Sequence, residues 1–228
     1  MAKMSKKERI VFTVVMIAAV PILICYLFIF ELYSIPSSSM SPTLKPGHLV
    51  VVNTLGFGNH RLLKVPVFKT KPTRQPQRGE IIVFDYPVDP AVPYIKRVVG
   101  LPGESVVYRN KRLFIKAVCT DDKTTCADYQ KIPTELAGDS ERIIADMPLE
   151  RHRETLNKDT HDIFINPTFG SRTSDYFMQE DTSADEWVIP PGHYFVMGDN
   201  RDNSRDSRYW GFVPQESIIG SVAYILFD

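Results

Sequence analysis

Three short stretches of this chain carry residue types that can do chemistry. The first is Ile35-Pro36-Ser37-Ser38-Ser39-Met40-Ser41-Pro42-Thr43-Leu44. Serines between prolines ordinarily form a solvated linker. A linker has no use for Ile35, Met40 and Leu44, whereas a substrate groove does. The second is Tyr94-Ile95-Lys96-Arg97-Val98-Val99-Gly100-Leu101-Pro102-Gly103-Glu104. A lysine in an apolar strand either guards a sheet edge or is buried, and lysines are rarely buried. Strand alternation predicts one of Lys96 and Arg97 facing inward and the other facing solvent. Burial disfavours the charged amine, and a neutral lysine can take the proton of a serine hydroxyl. The third stretch is Met197 to Gly211, where acids and arginines alternate among small turn formers before Tyr209 and Trp210. Such a loop is either solvated or pinned into a stiff arrangement by its own pairs.

The environment of Lys96 predicts a pKa below that of free lysine. Tyr94, Ile95, Val98 and Val99 supply apolar surroundings, Arg97 adds repulsion, and no acid flanks the residue in sequence. The competing chemistry is a histidine-based triad. The five histidines, His48, His60, His152, His161 and His193, have no catalytic context in the sequence and read as structural or surface residues.

The elements that must position these residues read as short strands. His48–Asn53, Glu80–Tyr86, Tyr94–Val99, Tyr194–Met197 and Ser221–Phe227 are apolar β-type runs. Ser105–Tyr108 and Leu113–Ile115 read as a hairpin around Arg109-Asn110-Lys111, and Thr54–Gln77 as a long basic surface loop. Many Pro/Gly turns between them imply a mainly β fold, with an antiparallel catalytic core of 31–116 and 187–228. Residues 117–186 lose apolar periodicity and read as an inserted smaller lobe.

The N-terminus differs from all of this. Ile10 to Phe30 is uncharged and follows Lys3, Lys6, Lys7 and Arg9. At about 1.5 Å per residue, 10–30 is long enough to span a bilayer as an anchor behind a cytoplasmic tail of 1–9. The 27 basic and 27 acidic side chains of the 228 residues cancel, so no global field recruits nucleic acid. Three cysteines, Cys25, Cys119 and Cys126, form neither a zinc spacing nor a disulfide scaffold. No cofactor or metal is expected.

Together these stretches resemble the type I signal peptidases, the bacterial leader peptidases. PSSSMSPTL, Arg78-Gly79-Glu80-Ile81-Ile82-Val83-Phe84, YIKRVVGLPGE and GDNRDNSRDSRYWGFVP match four family boxes in order. The resemblance implies a Ser–Lys dyad with Ser39 as nucleophile and Lys96 as general base. Ser37 and the Ser39 N–H would form the oxyanion hole. Ser204 would hydrogen-bond and orient the lysine, supported by the Asp206–Arg208 pair. Ile35, Pro36, Met40, Leu44, Tyr94 and Ile95 would wall the pockets for small side chains at positions −3 and −1. The resemblance also implies a β lobe inserted into the core, and a comparable disulfide makes Cys119 and Cys126 candidates to pair. The implied partners are signal peptides of exported preproteins, the lipid bilayer and the secretion translocon. The implied place is the bacterial cytoplasmic membrane, single-pass, with the catalytic domain outside. Ser38 departs from the pattern, where glycine is common, as does the added cation Arg205. A specialised pilus or conjugation peptidase, a self-cleaving repressor and a tethered binding module are the alternatives. The anchor, and the lack of a helix-turn-helix segment, argue against the repressor.

Overall fold

The computed structural model describes residues 5–62, 64–117, 128–138, 141–144, 147–170 and 172–226. Cys119 and Cys126 lie outside them.

Helix α1 spans Lys6–Ile29. Ser5 caps it in a reciprocal box: its hydroxyl accepts from Glu8 N at 3.3 Å, and its N–H donates to Glu8 Oε2 at 2.7 Å. The side chains from Ile10 to Val20 are all exposed. Among the described residues no helix is long and apolar enough to cross a membrane. The helix begins in the charged turn Lys6–Arg9. The span expected over 10–30 is thus not found among the described residues, and Phe30 already begins a strand.

The chain then forms β1 (Phe30–Ser34), β2 (Leu49–Asn53), β3 (Asn59–Leu62), β4 (Val65–Lys69), β5 (Ile81–Asp85) and β6 (Pro93–Gly100). Next come β7 (Ser105–Arg109), β8 (Arg112–Lys116), β9 (Gln130–Lys131), β10 (Thr134–Leu136), β11 (Glu141–Ile144), β12 (Met147–Leu156) and β13 (Asp159–Ile165). The last are β14 (Glu186–Val188), β15 (His193–Met197), the short helix α2 (Ser207–Trp210), β16 (Val213–Pro214) and β17 (Ile218–Ile225).

A seven-stranded antiparallel sheet in the order β1-β2-β17-β5-β6-β15-β16 carries the core. The mainly β, antiparallel expectation holds. β7 and β8 pair through Asn110 and Lys111, both left-handed at φ 49° and 59°, the twist a two-residue hairpin turn requires. Within 117–186, β12 pairs with β10, β11 and β13.

The loop expected over Thr54–Gln77 is a correction. It contains the hairpin β3–β4. Phe57 is fully buried, and Asp85 accepts from both Asn59 and Arg61. That anchoring carboxylate is distant in sequence, and β4 shows no buried face to betray a strand.

Three apolar clusters fill the body. One joins Val99, Val106, Leu156, Trp187, Ile189 and Phe195. At Gly100 an added Cβ would lie 2.3 Å from Ile189 Cδ1 and 2.7 Å from Val106 Cγ2. Gly100→Ala should therefore overpack this cluster and lower unfolding free energy by about 1–3 kcal/mol in urea titration. Wild-type stability in that variant would refute the packing described.

Candidate active site

Ser39 sits where the chain leaves β1 and turns back. Ile35 N donates to His48 O at 2.9 Å, and Leu44 N donates to Met40 O at 2.8 Å, closing a tight turn after the serine. Ile35, Met40 and Leu44 point into the cluster with Val50, Val83 and Ile219, and Ile95 packs against it. Burying these side chains fixes the backbone of an otherwise polar segment. The neighbouring loop adds further ties: Asn200 N donates to Ser39 O at 3.1 Å, and Asn200 Nδ2 donates to Ser38 O at 3.2 Å.

Lys96, on β6, meets this turn across 57 positions of sequence. Its Nζ donates to Ser39 Oγ at 2.9 Å and to Ile95 O at 2.9 Å. The residue is 4% exposed, and desolvation pulls its pKa down to about 8. Asp206 and Asp199 push the other way, and Arg208 adds a smaller lowering. Two expectations need correction here. Acids do face Lys96, although none flanks it in sequence. Arg97 is buried rather than solvated, its Nε and Nη2 bonding Asp199 at 2.8 and 2.7 Å. Both cations of the pair are inside because each has its own partner from another element.

Ser37 Oγ lies 3.3 Å from Ser39 Oγ. Ser204 is buried, but the bonds of Lys96 Nζ go to Ser39 and Ile95, and none goes to Ser204. Ser204 packs on Gly198, where a Cβ would meet Ser204 Oγ at 2.3 Å and Ser39 O at 2.5 Å. Only glycine allows the serine turn and the loop of Ser204 to approach so closely. Asp206 and Arg208 form a buried pair at 2.8 Å, and Asp206 also accepts from Gly198 N at 2.9 Å. Burial alone would raise the Asp206 pKa, yet Arg208 holds it below the carboxylate range; Asp199 is held down likewise by Arg97.

Tyr94 does not join the apolar wall. It lies on the face of Lys96, whose Nζ is 5.4 Å from its ring, and stacks on Tyr86 at 4.2 Å. Pro36 is exposed. Among the described residues no histidine bonds to Ser39; His161 lies 3.5 Å from Glu154 and 3.9 Å from Asp199.

Sequence reasoning missed Thr43, Glu154, Asp199, Asn200 and Asn203. Arg201 pairs with Glu154 at 2.8 and 2.5 Å, and Thr43 donates to Asp199 at 2.5 Å. The alternating charges of 198–208 were a signal, but most of their partners lie outside that loop. Glu154, in a polar strand, offered none.

The model of the family described as "Signal peptidase, peptidase S26" matches residues 7–227. The chain belongs to that family. Among its relatives, signal peptidase I of Pseudomonas aeruginosa is 38% identical over 212 residues, covering 87% of this chain and 65% of that one. Signal peptidase I of Buchnera aphidicola subsp. Schizaphis graminum is 35% identical, covering 87% and 68%. The Rickettsia typhi signal peptidase I is 32% identical over 235 residues, covering 99% and 81%. The chain thus spans about two thirds of the length of the first two.

In this member of the peptidase S26 family, the buried lysine has a cost that can be measured. Its folded pKa, about 8, lies below its free value of 10.5, so the unfolded chain binds more protons between those pH values. Stability should rise with pH across that window by about 3 kcal/mol relative to Lys96→Met, which lacks the titration. Parallel stability–pH curves for the two proteins would contradict the burial of an ionisable amine.

Proposed function

We propose that this protein is a type I signal peptidase, a membrane-bound serine endopeptidase. It cuts signal peptides from exported preproteins after small residues at −3 and −1. The observation that carries this reading is the 2.9 Å contact between Ser39 Oγ and an amine whose pKa burial draws down to about 8. At pH 7 roughly one tenth of such a lysine is neutral, against well under a thousandth of a free one.

Neutral Lys96 accepts the Ser39 proton as Oγ attacks the carbonyl carbon. Charge builds on the carbonyl oxygen, where the Ser37 hydroxyl and Ser39 N–H act as donors; one such donor is worth about 3–4 kcal/mol in the transition state. Collapse breaks the C–N bond, and the Lys96 ammonium protonates the departing amine. A water molecule, deprotonated by the same lysine, then releases the signal peptide from Ser39. Asp206 and Arg208 hold the Ser204 loop in place. Their opposite charges act against each other on Lys96, with Asp206 the stronger.

The substrate binds as an added strand. β1 is the first strand of its sheet, and β15 pairs only with Arg97 to Gly100 of β6, not with Pro93 to Lys96. Ile35, Met40 and Leu44 are sealed in the core beneath the turn, so Ile95, partly exposed beside them, supplies the apolar wall for alanine-sized side chains, with Pro36 and Tyr94 at its margins. The catalytic core comprises 31–116 and 187–228, with 117–186 inserted as a second lobe.

The uncharged run Ile10–Phe30 anchors the protein in the cytoplasmic membrane. The exposed apolar side chains of α1 support this, since no protein surface covers Ile10 to Val20. Lys3, Lys6, Lys7 and Arg9 keep the N-terminus cytoplasmic and place the catalytic domain outside, within reach of the secretion translocon.

Cleavage of a preprotein with Ala at −3 and −1 tests the reading. Ser39→Ala and Lys96→Arg should both be inactive, because guanidinium stays protonated. The single-turnover rate of the wild type should rise with pH through about 8. A working Lys96→Arg enzyme would show that another group takes the proton.

A further inference from the structure

Two adjoining cavities lie against the loop of Asn200 to Arg205, which is hydrogen-bonded to Ser38 and Ser39, and hold neither Ser39 nor Lys96. One, of about 280 Å³, is lined by Leu149, Phe169 and Arg172 and reaches Asn200, Asp202 and Asn203. The other, of about 340 Å³, shares Arg172, Asp202 and Asn203 and continues past Ser204 to Arg205. They abut the serine segment directly: Asn200 Nδ2 donates to Ser38 O at 3.2 Å, and Asn203 Nδ2 donates to the Ser38 hydroxyl at 3.0 Å. Neither cavity shares a residue with the apolar cluster of Ile35, Met40 and Leu44.

An endopeptidase holds its substrate on both sides of the bond it cuts. The apolar surface at Ile95, over the buried cluster, serves the residues before the cut, so those after it need a separate surface near Ser39. The paired cavities are such a surface, and their charge selects what they hold. Asp202 is already neutralised by Lys111, whose Nζ donates to it at 2.9 Å, and it also accepts from Asn166 N at 2.8 Å. That leaves two exposed cations, Arg172 and Arg205, against one acid, Asp175. The Arg172 guanidinium lies 5.2 Å from the Phe169 ring, which holds its charge at the cleft. Arg205 is near enough to Tyr94, two positions from Lys96, for its charge to act there.

We infer that this cleft receives the first residues of the released protein and favours a carboxylate side chain among them, with Arg172 and Arg205 as the recognising cations. The inference rests on the peptidase reading above and adds a specificity on the far side of the cut. It requires no change in the dyad.

The test uses the full chain in detergent and a set of peptides. All carry Ala at −3 and −1 and differ only in Glu, Gln or Lys at the second and third positions after the cut. In the wild type kcat/KM should fall in the order Glu, Gln, Lys, by about two- to fivefold per step, as partly exposed charge pairs allow. The preference should shrink as salt is raised. In the double variant Arg172→Glu with Arg205→Glu the order should reverse. Equal rates on all three peptides, or an unchanged order in the double variant, overturn this inference and leave the peptidase reading standing. Failure to cut any of the peptides overturns both.

Discussion

Holding an amine out of water beside a hydroxyl is costly, and much of this fold is arranged around that cost. Lys96 would recover its hydration, and its pKa would return toward the free value, if the serine turn moved away and let water in. The turn is prevented from moving by two kinds of force. Met40 and Leu44 are buried without remainder beneath it. Above it, backbone and side-chain amides of Asn200 hold the carbonyls of Ser38 and Ser39. The dyad is the meeting point of an apolar floor and a polar clamp, and neither element alone would keep the 2.9 Å contact.

The clamp is itself built from buried charges. Arg97–Asp199, Arg201–Glu154 and Arg208–Asp206 are three guanidinium–carboxylate pairs whose side chains are nearly all sealed from solvent. Buried pairs add little net stability, because desolvation offsets their attraction, but removing one partner typically costs about 3–5 kcal/mol. They therefore resist any rearrangement that separates them. Arg208 Nη2 also donates to Arg201 O at 2.6 Å, which links two of the pairs. The Glu154 carboxyl, down at about 2 despite burial because Arg201 and His161 outweigh desolvation, ties the loop to β12. The same pairs set the field at Lys96. Asp206 and Asp199 favour its proton and Arg208 disfavours it, so desolvation decides the balance.

What was legible in the sequence follows the range of the interactions involved. The hairpin of β7 and β8 depends on alternation and on two turn residues, Asn110 and Lys111, all within a dozen positions. The serine segment studded with Met40 and Leu44, and the lysine within an apolar strand, were each locally odd, but only the family resemblance singled out Ser39 from its neighbours as the partner that Lys96 meets. Arg97 was misjudged because strand alternation knows nothing of Asp199, 102 positions away. The hairpin β3–β4 was missed for the same reason, its Asn59 and Arg61 being held by Asp85. Tyr94 shows the converse. Alternation alone would have placed it on the Lys96 face, away from Ile95, and the resemblance to a family grouped the two together.

Proton transfer from Ser39 depends on the protonation of one side chain, Lys96, and that can be observed without turnover. In protein labelled with nitrogen-15 lysine, the Nζ resonance of Lys96 is assigned by its absence in Lys96→Met and followed against pH. The structure predicts a midpoint near 8. A midpoint at the ordinary lysine value of about 10.4 would mean that the amine is charged at working pH and that Lys96 cannot be the base.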